Sequence, residues 1–491
     1  MDSNKFDYDV FVIGGGPGGL SAAKIASSEG LKVGLSDLPV NLHPNQEYGL
    51  GGISVNNNCI PKKMLHYAAI MGELKEDQIE CGWVVSDNNQ HNWQRMIKKV
   101  NEFVKRLNFI FEKQLEMHEI DFYNFQAELE DKNTIVLKDN EGNTKKVRAK
   151  SIVVNVDSEP IYLPVENCKE VCITSDDLFW LPKAPGKTLI IGAGHVGLES
   201  AGFLKGLNYD VDVLYRSKPM SSSDRDMVNR ITENMMTLGV KFHKGELKSI
   251  ERIDSGKIRV KIDITKADEE KEVEEEYDTV VMALGRQPTN KQLISQNLSV
   301  NLDKDGYLIV NDNCMTSIDG VYSVGHSNNK FPKTTPLFIK EGALVVKAII
   351  RSKMAMKPID YQIAPLISFT PLEYARCGYT EEEAVAKFGA DNVDIYHTSF
   401  KPLEWNFSKS RPANLCYTKV IVLREDLKMI GVHFLGPNAG EVIQGFAIAV
   451  RMGFNFASFK DTIGIHPTVA EEIIMLEITK RENPVVEKTG C

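Results

Sequence analysis

The 491-residue chain has no positive charge balance, no long apolar run and no cysteine pair of the Cys-x-x-Cys kind. Its 58 Lys and Arg against 67 Asp and Glu leave a formal net charge of −9. That balance argues against a nucleic-acid binder, which needs a basic face. No apolar stretch reaches the length that spans a bilayer. The apolar start from Val10 to Ala26 imitates a signal peptide. However, Asp2, Asp7 and Asp9 precede it where a positive region belongs, and five glycines break it. Eight cysteines, at 59, 81, 168, 172, 314, 377, 416 and 491, are too sparse for a secreted disulfide framework and show no zinc-type spacing. The expectation is a soluble, cytoplasmic protein with no metal site, no nucleic-acid partner and no membrane segment.

What the chain does have is 42% apolar and 25% charged residues over a length suited to roughly three domains. Tyr8–Ile13 reads as a strand, Gly14–Gly19 as a tight turn, Leu20–Ser28 as a helix, and Lys32 onward as a strand ending at Asp37. The same grammar returns with Lys187–Ile191, Gly192–Gly197, a helix through Leu204, and Asp210–Tyr215. Two such βαβ units imply two nucleotide-binding layers of α/β type. Pro182–Gly186 marks a domain boundary, and the acidic run Lys266–Glu276 reads as a solvated turn between strands. Beyond residue 360, strands at Leu415–Val422 and Ile430–Phe434 mix with amphipathic helices at Glu381–Phe388, Glu441–Met452 and Ala470–Thr479. That mixture suggests an α+β third domain.

Gly14, Gly16 and Gly19 form a Gly-x-Gly-x-x-Gly loop between strand and helix, which bares the backbone and points a helix N-terminus at a pyrophosphate. Asp37, at the end of the next strand, is placed to bind ribose hydroxyls. Gly192, Gly194 and Gly197 repeat the loop, but Arg216 ends the following strand, with Ser217 and Lys218 after it. A cation there suits a 2′-phosphate and hence NADP(H). One flavin dinucleotide and one nicotinamide dinucleotide are expected.

Residues 48–63, read with Ser175–Phe179, Ala283–Pro288, Thr370–Tyr374, Pro402–Trp405, Leu435–Gly440, Ile463–Pro467 and Thr489–Cys491, make the chain similar to the FAD-dependent disulfide reductases. It most closely resembles the high-molecular-weight thioredoxin reductases. The resemblance implies two Rossmann-like domains of the three-layer ββα glutathione-reductase type and a C-terminal α+β dimerisation domain. It divides the chain into FAD-binding residues 1–160 and 290–360, NADP(H)-binding residues 161–289, and dimer-interface residues 361–491. It also implies a homodimer in which NADPH reduces FAD, the flavin reduces a cysteine pair, and a C-terminal tail passes electrons to thioredoxin. Carried over by position, Cys59 is the thiol nearest the flavin, and Lys62 and Glu199 form an ion pair beside it. His466 and Glu471 handle protons from the partner subunit, Gly325 begins the motif that holds the ribityl chain, and Cys491 belongs to the tail.

The chain departs from that pattern at several positions. Ser54 stands where the first redox cysteine belongs, so Cys59 has no disulfide partner at the required spacing. Ile53, Asn57 and Asn58 replace a threonine, a valine and a glycine of the redox helix, and Asn155-Val156-Asp157 replaces an Ala-Thr-Gly loop over the FAD. His326 replaces the ribityl-binding aspartate and Phe338 a small alanine, while His195 replaces the tyrosine that gates the nicotinamide pocket. Ser221 replaces a second phosphate-binding arginine, leaving Arg216 with Lys218 and Arg225 as nearby cations. Two readings follow: a thioredoxin-reductase-like flavoprotein with impaired or absent turnover, and a degenerate homologue kept as a dimeric structural or assembly subunit. Asp157, His326 and Phe338 lead to an expected FAD occupancy well below one per subunit, and in the second reading the flavin is weakly bound or lost.

Overall fold

The computed structural model describes residues 5–38, 49–85, 90–266, 269–295, 298–351, 357–408, 411 and 414–485. Its first sheet is built on the strand Tyr8–Ile13, which pairs in parallel with Val33–Ser36 on one edge and Thr144–Val154 on the other. Asp121–Tyr123 extends the sheet outward, and Val321–Ser323 returns from far along the chain to pair with Ile152–Val154. Every residue of Val33–Ser36 is buried, as a strand covered on both faces must be. The first half of Thr144–Val154 leaves this parallel layer. Its Thr144–Arg148 segment pairs antiparallel with Thr134–Lys138, which in turn pairs with Gln126–Leu129.

The second sheet repeats this plan. Thr188–Ile191 lies between Val211–Tyr215 and Thr279–Met282, all parallel, with Ile173–Thr174 beyond. Lys241–Arg252 starts parallel to Val211–Tyr215 and then joins an antiparallel ribbon with Ile258–Lys266 and Glu269–Tyr277. The acidic run expected to be a turn is therefore mostly a strand, with residues 267–268 outside the described set. Its carboxylates are met across the ribbon: Arg259 pairs with Glu274 and Glu276, and Lys261 with Glu274. Opposite charges on facing strands favour pairing, and that contact is invisible in the run itself. Ser158–Pro160 and Arg286–Pro288 join the two nucleotide-type units as a short antiparallel pair.

The C-terminal unit is a five-stranded antiparallel sheet in the order Leu366–Ser368, Tyr374–Gly378, Met429–Leu435, Cys416–Leu423, Val393–Phe400. Its helices include Glu381–Phe388, opened by a Thr380 capping box, and Ala439–Met452. The helix expected over 470–479 is short, Glu471–Ile474. The chain beyond it turns extended because Thr479 bridges to Tyr396 at the sheet edge. Lys419, completely buried, ties this unit to the second sheet: its Nζ lies 2.7 Å from Asp224 and Glu381 and 2.8 Å from Asp226. Burial alone would lower its pKa, but the three carboxylates more than offset that and hold it well above the usual lysine range. Among the described residues, no helix is long and apolar enough to cross a membrane.

Two helices cross closely at the centre. Cys59–Glu80 packs on His195–Gly206, and a Cβ at Gly72 would lie 2.6 Å from the carbonyl oxygen of Gly206. Gly206 in turn approaches Ala69, whose Cβ would be 2.7 Å from a Cβ at Gly206. Only glycines permit this backbone approach, which packs the C-terminal end of the second helix on the middle of the first. Gly72→Ala is therefore expected to push the helices apart at a cost of about 1–3 kcal/mol. Denaturant midpoints of the variant and the parent chain check this.

Candidate functional site

Cys59 opens the 22-residue helix, and Lys62 follows one turn later, so both face the helix that carries Glu199. Lys62 Nζ is 2.9 Å from Glu199 Oε2, and the Phe369 N–H donates to Glu199 Oε1 at 2.8 Å. Burial opposes the charge on Lys62, yet Glu199 and then Cys59 outweigh it and raise its pKa. Both members of the expected pair thus meet, and a backbone donor from the third unit completes the carboxylate. Ser54 and Cys59 converge on one hydroxyl: Ser54 Oγ is 2.8 Å from Thr335 Oγ1, and Cys59 Sγ is 3.7 Å from the same atom. The seven described cysteines are all free.

The two glycine loops are built alike. The N–H of Gly14 reaches Ser36 O at 2.7 Å, and that of Asn155 reaches Ile13 O at 2.7 Å. In the second loop Gly192 reaches Leu214 O and Ala283 reaches Ile191 O, both at 2.8 Å. Gly14 and Gly192 both have positive φ, +105° and +116°, and Gly19 and Gly197 both press on the preceding loop carbonyl. The middle glycines differ. A Cβ at Gly194 would meet open space, whereas one at Gly16 would lie 2.6 Å from Nδ2 of the buried Asn155.

The first loop also holds two carboxylates. Asp37, where the sequence expects it, approaches Gly15, and burial raises its pKa to about 6 against N–H donation from Gly15 and Leu38. Asp157 Oδ2 accepts the Ile53 N–H at 3.0 Å and lies 2.9 Å from where a Gly52 Cβ would stand. Beside Gly325, the His326 ring packs edge-on against Phe338 at 4.9 Å. Burial, with Arg286 and Lys333 nearby, lowers its pKa to about 3, so it is a neutral imidazole. The glycine loop and the helix N-terminus would hold an FAD diphosphate, and an ionised Asp157 beside Gly52 would oppose its charge.

The second loop does fit a pyridine dinucleotide. The loop is unobstructed at Gly194, the helix starts at His195, and Arg216, Ser217 and Lys218 are exposed at the end of the next strand. Its backbone N–H groups would hold the pyrophosphate and Arg216 a 2′-phosphate. Arg225 is not available for that purpose: its guanidinium donates to the carbonyls of Pro219, Met220 and Ser223. His195 is clamped between Ser368 Oγ at 2.6 Å and Ser223 Oγ at 3.3 Å, and burial lowers its pKa.

His466 and Glu471 also meet, Nδ1 to Oε1 at 2.9 Å, on the C-terminal unit. The His466 ring is 68% exposed, and Ile463 and Ile465 beside it are 93% and 77% exposed. Cys491 lies outside the described residues. Sequence reasoning missed Thr335, 281 residues from Ser54, and the donor from Phe369. It also missed Glu341, which accepts from Gly325 N–H, Asn328 and Tyr361 behind His326. Thr335 lies three residues before Phe338, which the sequence had singled out.

Residues 8–342 match the family model described as pyridine nucleotide-disulphide oxidoreductase, and residues 364–476 match that family's dimerisation domain. The chain is 38% identical to thioredoxin reductase SEP1 of Emiliania huxleyi, over an alignment of 502 positions that covers the whole of both chains.

Lys62→Met would leave Glu199, 1% exposed, with a single backbone donor, at an expected cost of about 3 kcal/mol or more. Adding Glu199→Gln should recover most of it, and a double-mutant cycle in urea measures both effects.

Proposed function

The chain belongs to the pyridine nucleotide-disulphide oxidoreductases, a family that works with FAD and NADPH, and we propose that within it this protein is a thioredoxin-reductase-like homologue without disulfide turnover. The observation that carries this reading is Ser54, whose hydroxyl is hydrogen-bonded to Thr335 where the exchange thiol of the resemblance belongs. A hydroxyl cannot accept electrons as a disulfide does, so Cys59 cannot pass them on through that position. NADPH supplies hydride in this family, and here the second loop and Arg216 bind it. In the proposed scheme Lys62 and Glu199 keep a buried charge pair beside Cys59, and the partner subunit's His466 and Glu471 complete the site across a homodimer.

A second reading, a dimeric structural or assembly subunit of the cytoplasm, draws support from the crowded first loop and from the exposed Ile463 and Ile465 on the C-terminal unit. In this reading the fold and the dimer persist while FAD occupancy stays low, and a thioredoxin-like protein or a larger assembly is the partner.

The purified protein is expected to show no NADPH-dependent reduction of thioredoxin or of a small aromatic disulfide. Robust turnover would overturn the reading. Ser54→Cys should let two thiols disappear together on mild oxidation, counted with a thiol reagent, while turnover remains absent. Arg216→Ala should weaken NADPH binding about tenfold and leave NADH binding unchanged, as loss of a charge-assisted contact to one phosphate requires. Fluorescence titration of both nucleotides decides that point.

A further inference from the structure

The internal duplication provides a reference for the first loop. In register, Ile13 pairs with Val154 as Ile191 pairs with Met282, so Asn155-Val156-Asp157 corresponds to Ala283-Leu284-Gly285. At Gly285, with φ +98°, a Cβ would meet nothing within 4 Å. The second unit thus leaves open the place that Asp157 fills in the first. The Asp157 carboxylate lies beside the loop: Oδ2 accepts from Ile53 N–H at 3.0 Å and lies 2.9 Å from the Cβ position of Gly52. That same position is 2.9 Å from the Cα of Gly16, the N-cap of the 12-residue helix Pro17–Ser28. A carboxylate, two bare glycines and the positive end of a helix converge where a loop of this kind takes a phosphate.

We infer that Asp157 is an internal anion standing in the diphosphate position of the first loop, so that the loop admits FAD only when Asp157 carries a proton. This rests on the reading of that loop as the flavin dinucleotide site. The charged groups facing Asp157 are Asp37, on the strand end across the loop, Asp176 and Arg286. Arg286 stabilises the ionised form from a distance, but its guanidinium is bonded to Asp176 at 2.6 Å and to Ser158. Burial, reinforced by Asp37, pushes the Asp157 carboxyl up to about 7 against Arg286 and the Ile53 N–H. Below that pH the folded chain holds the proton and the site is neutral; above it, each FAD bound must also carry a proton in. Affinity for FAD should therefore fall about tenfold per pH unit above pH 7. The same displaced titration makes the flavin-free protein lose stability as pH rises from the ordinary carboxyl range toward 7.

The test is titration of FAD into the flavin-free full-length protein from pH 5.5 to 8.5, followed by flavin fluorescence. The parent chain, Asp157→Asn and Asp157→Gly are compared. The expected result is tight binding at low pH that weakens with rising pH in the parent, and a flattened profile in both variants above pH 7. With no ligand, Asp157→Asn should raise Tm more at pH 8 than at pH 5, a readout independent of flavin. Equal FAD affinity in parent and Asp157→Asn at pH 8.5, with no difference in Tm gain, would overturn the inference and leave the flavin-site reading standing. Absence of FAD binding in all three proteins at pH 5.5 would overturn both.

Discussion

The close crossing of Cys59–Glu80 and His195–Gly206 is the constraint on which the rest of the site depends. Gly72 and Gly206 let two backbones approach at a distance that no side chain would allow, and Lys62 and Glu199 meet further back along the same two helices. Lys62 and Glu199 come from different nucleotide-type units, 137 residues apart, and they meet only because of this crossing. Gly202 extends the contact to a third unit, since a Cβ there would strike Pro371 at 2.5 Å. The adjoining Phe369 N–H then closes the shell around Glu199. An ion pair that is nearly buried costs desolvation on both sides, so a single geometry must satisfy every lone pair. Lys419 solves the same problem for the outer face of the second unit, with three carboxylates around one ammonium.

The two nucleotide loops show how one backbone plan serves opposite electrostatic ends. Their first and last glycines make the same strained turn and the same contact between helix and strand. The difference lies in what the neighbouring strand supplies at its end. Ala283 and Gly285 leave the second loop clear, while Asn155 and Asp157 fill the first from below and beside. The filled loop is not a damaged one. Asn155 is buried, and Asp157 accepts the Ile53 N–H. Burial disfavours the charge on Asp157, so the fold holds the filled loop best while that carboxyl is protonated.

Cys59 stands at a helix N-terminus beside the Lys62–Glu199 ion pair, and the Ser54 hydroxyl is bonded to Thr335. The charge pair carries structural weight: removing either partner would strand the other in the interior. Ser54 carries no such weight, because one small polar group exchanged for another leaves packing and charge unchanged.

The sequence by itself determined the two βαβ units, the placement of both glycine loops, the α+β character of the last third, and the family, because each rests on local periodicity or on motifs in fixed order. Several candidate residues were legible for the same reason, among them Cys59, Lys62, Glu199 and Asp37. Only the tertiary structure decided the strand character of the acidic run, set by Arg259 and Lys261 across the ribbon, and the shortened helix at Glu471–Ile474, set by the edge of the neighbouring sheet. It alone joined Thr335 to Ser54 and placed Asp157 beside the first loop. Those contacts link residues over one hundred positions apart. Distance along the chain erases any local signature, and the energy of a buried charge depends on everything packed around it.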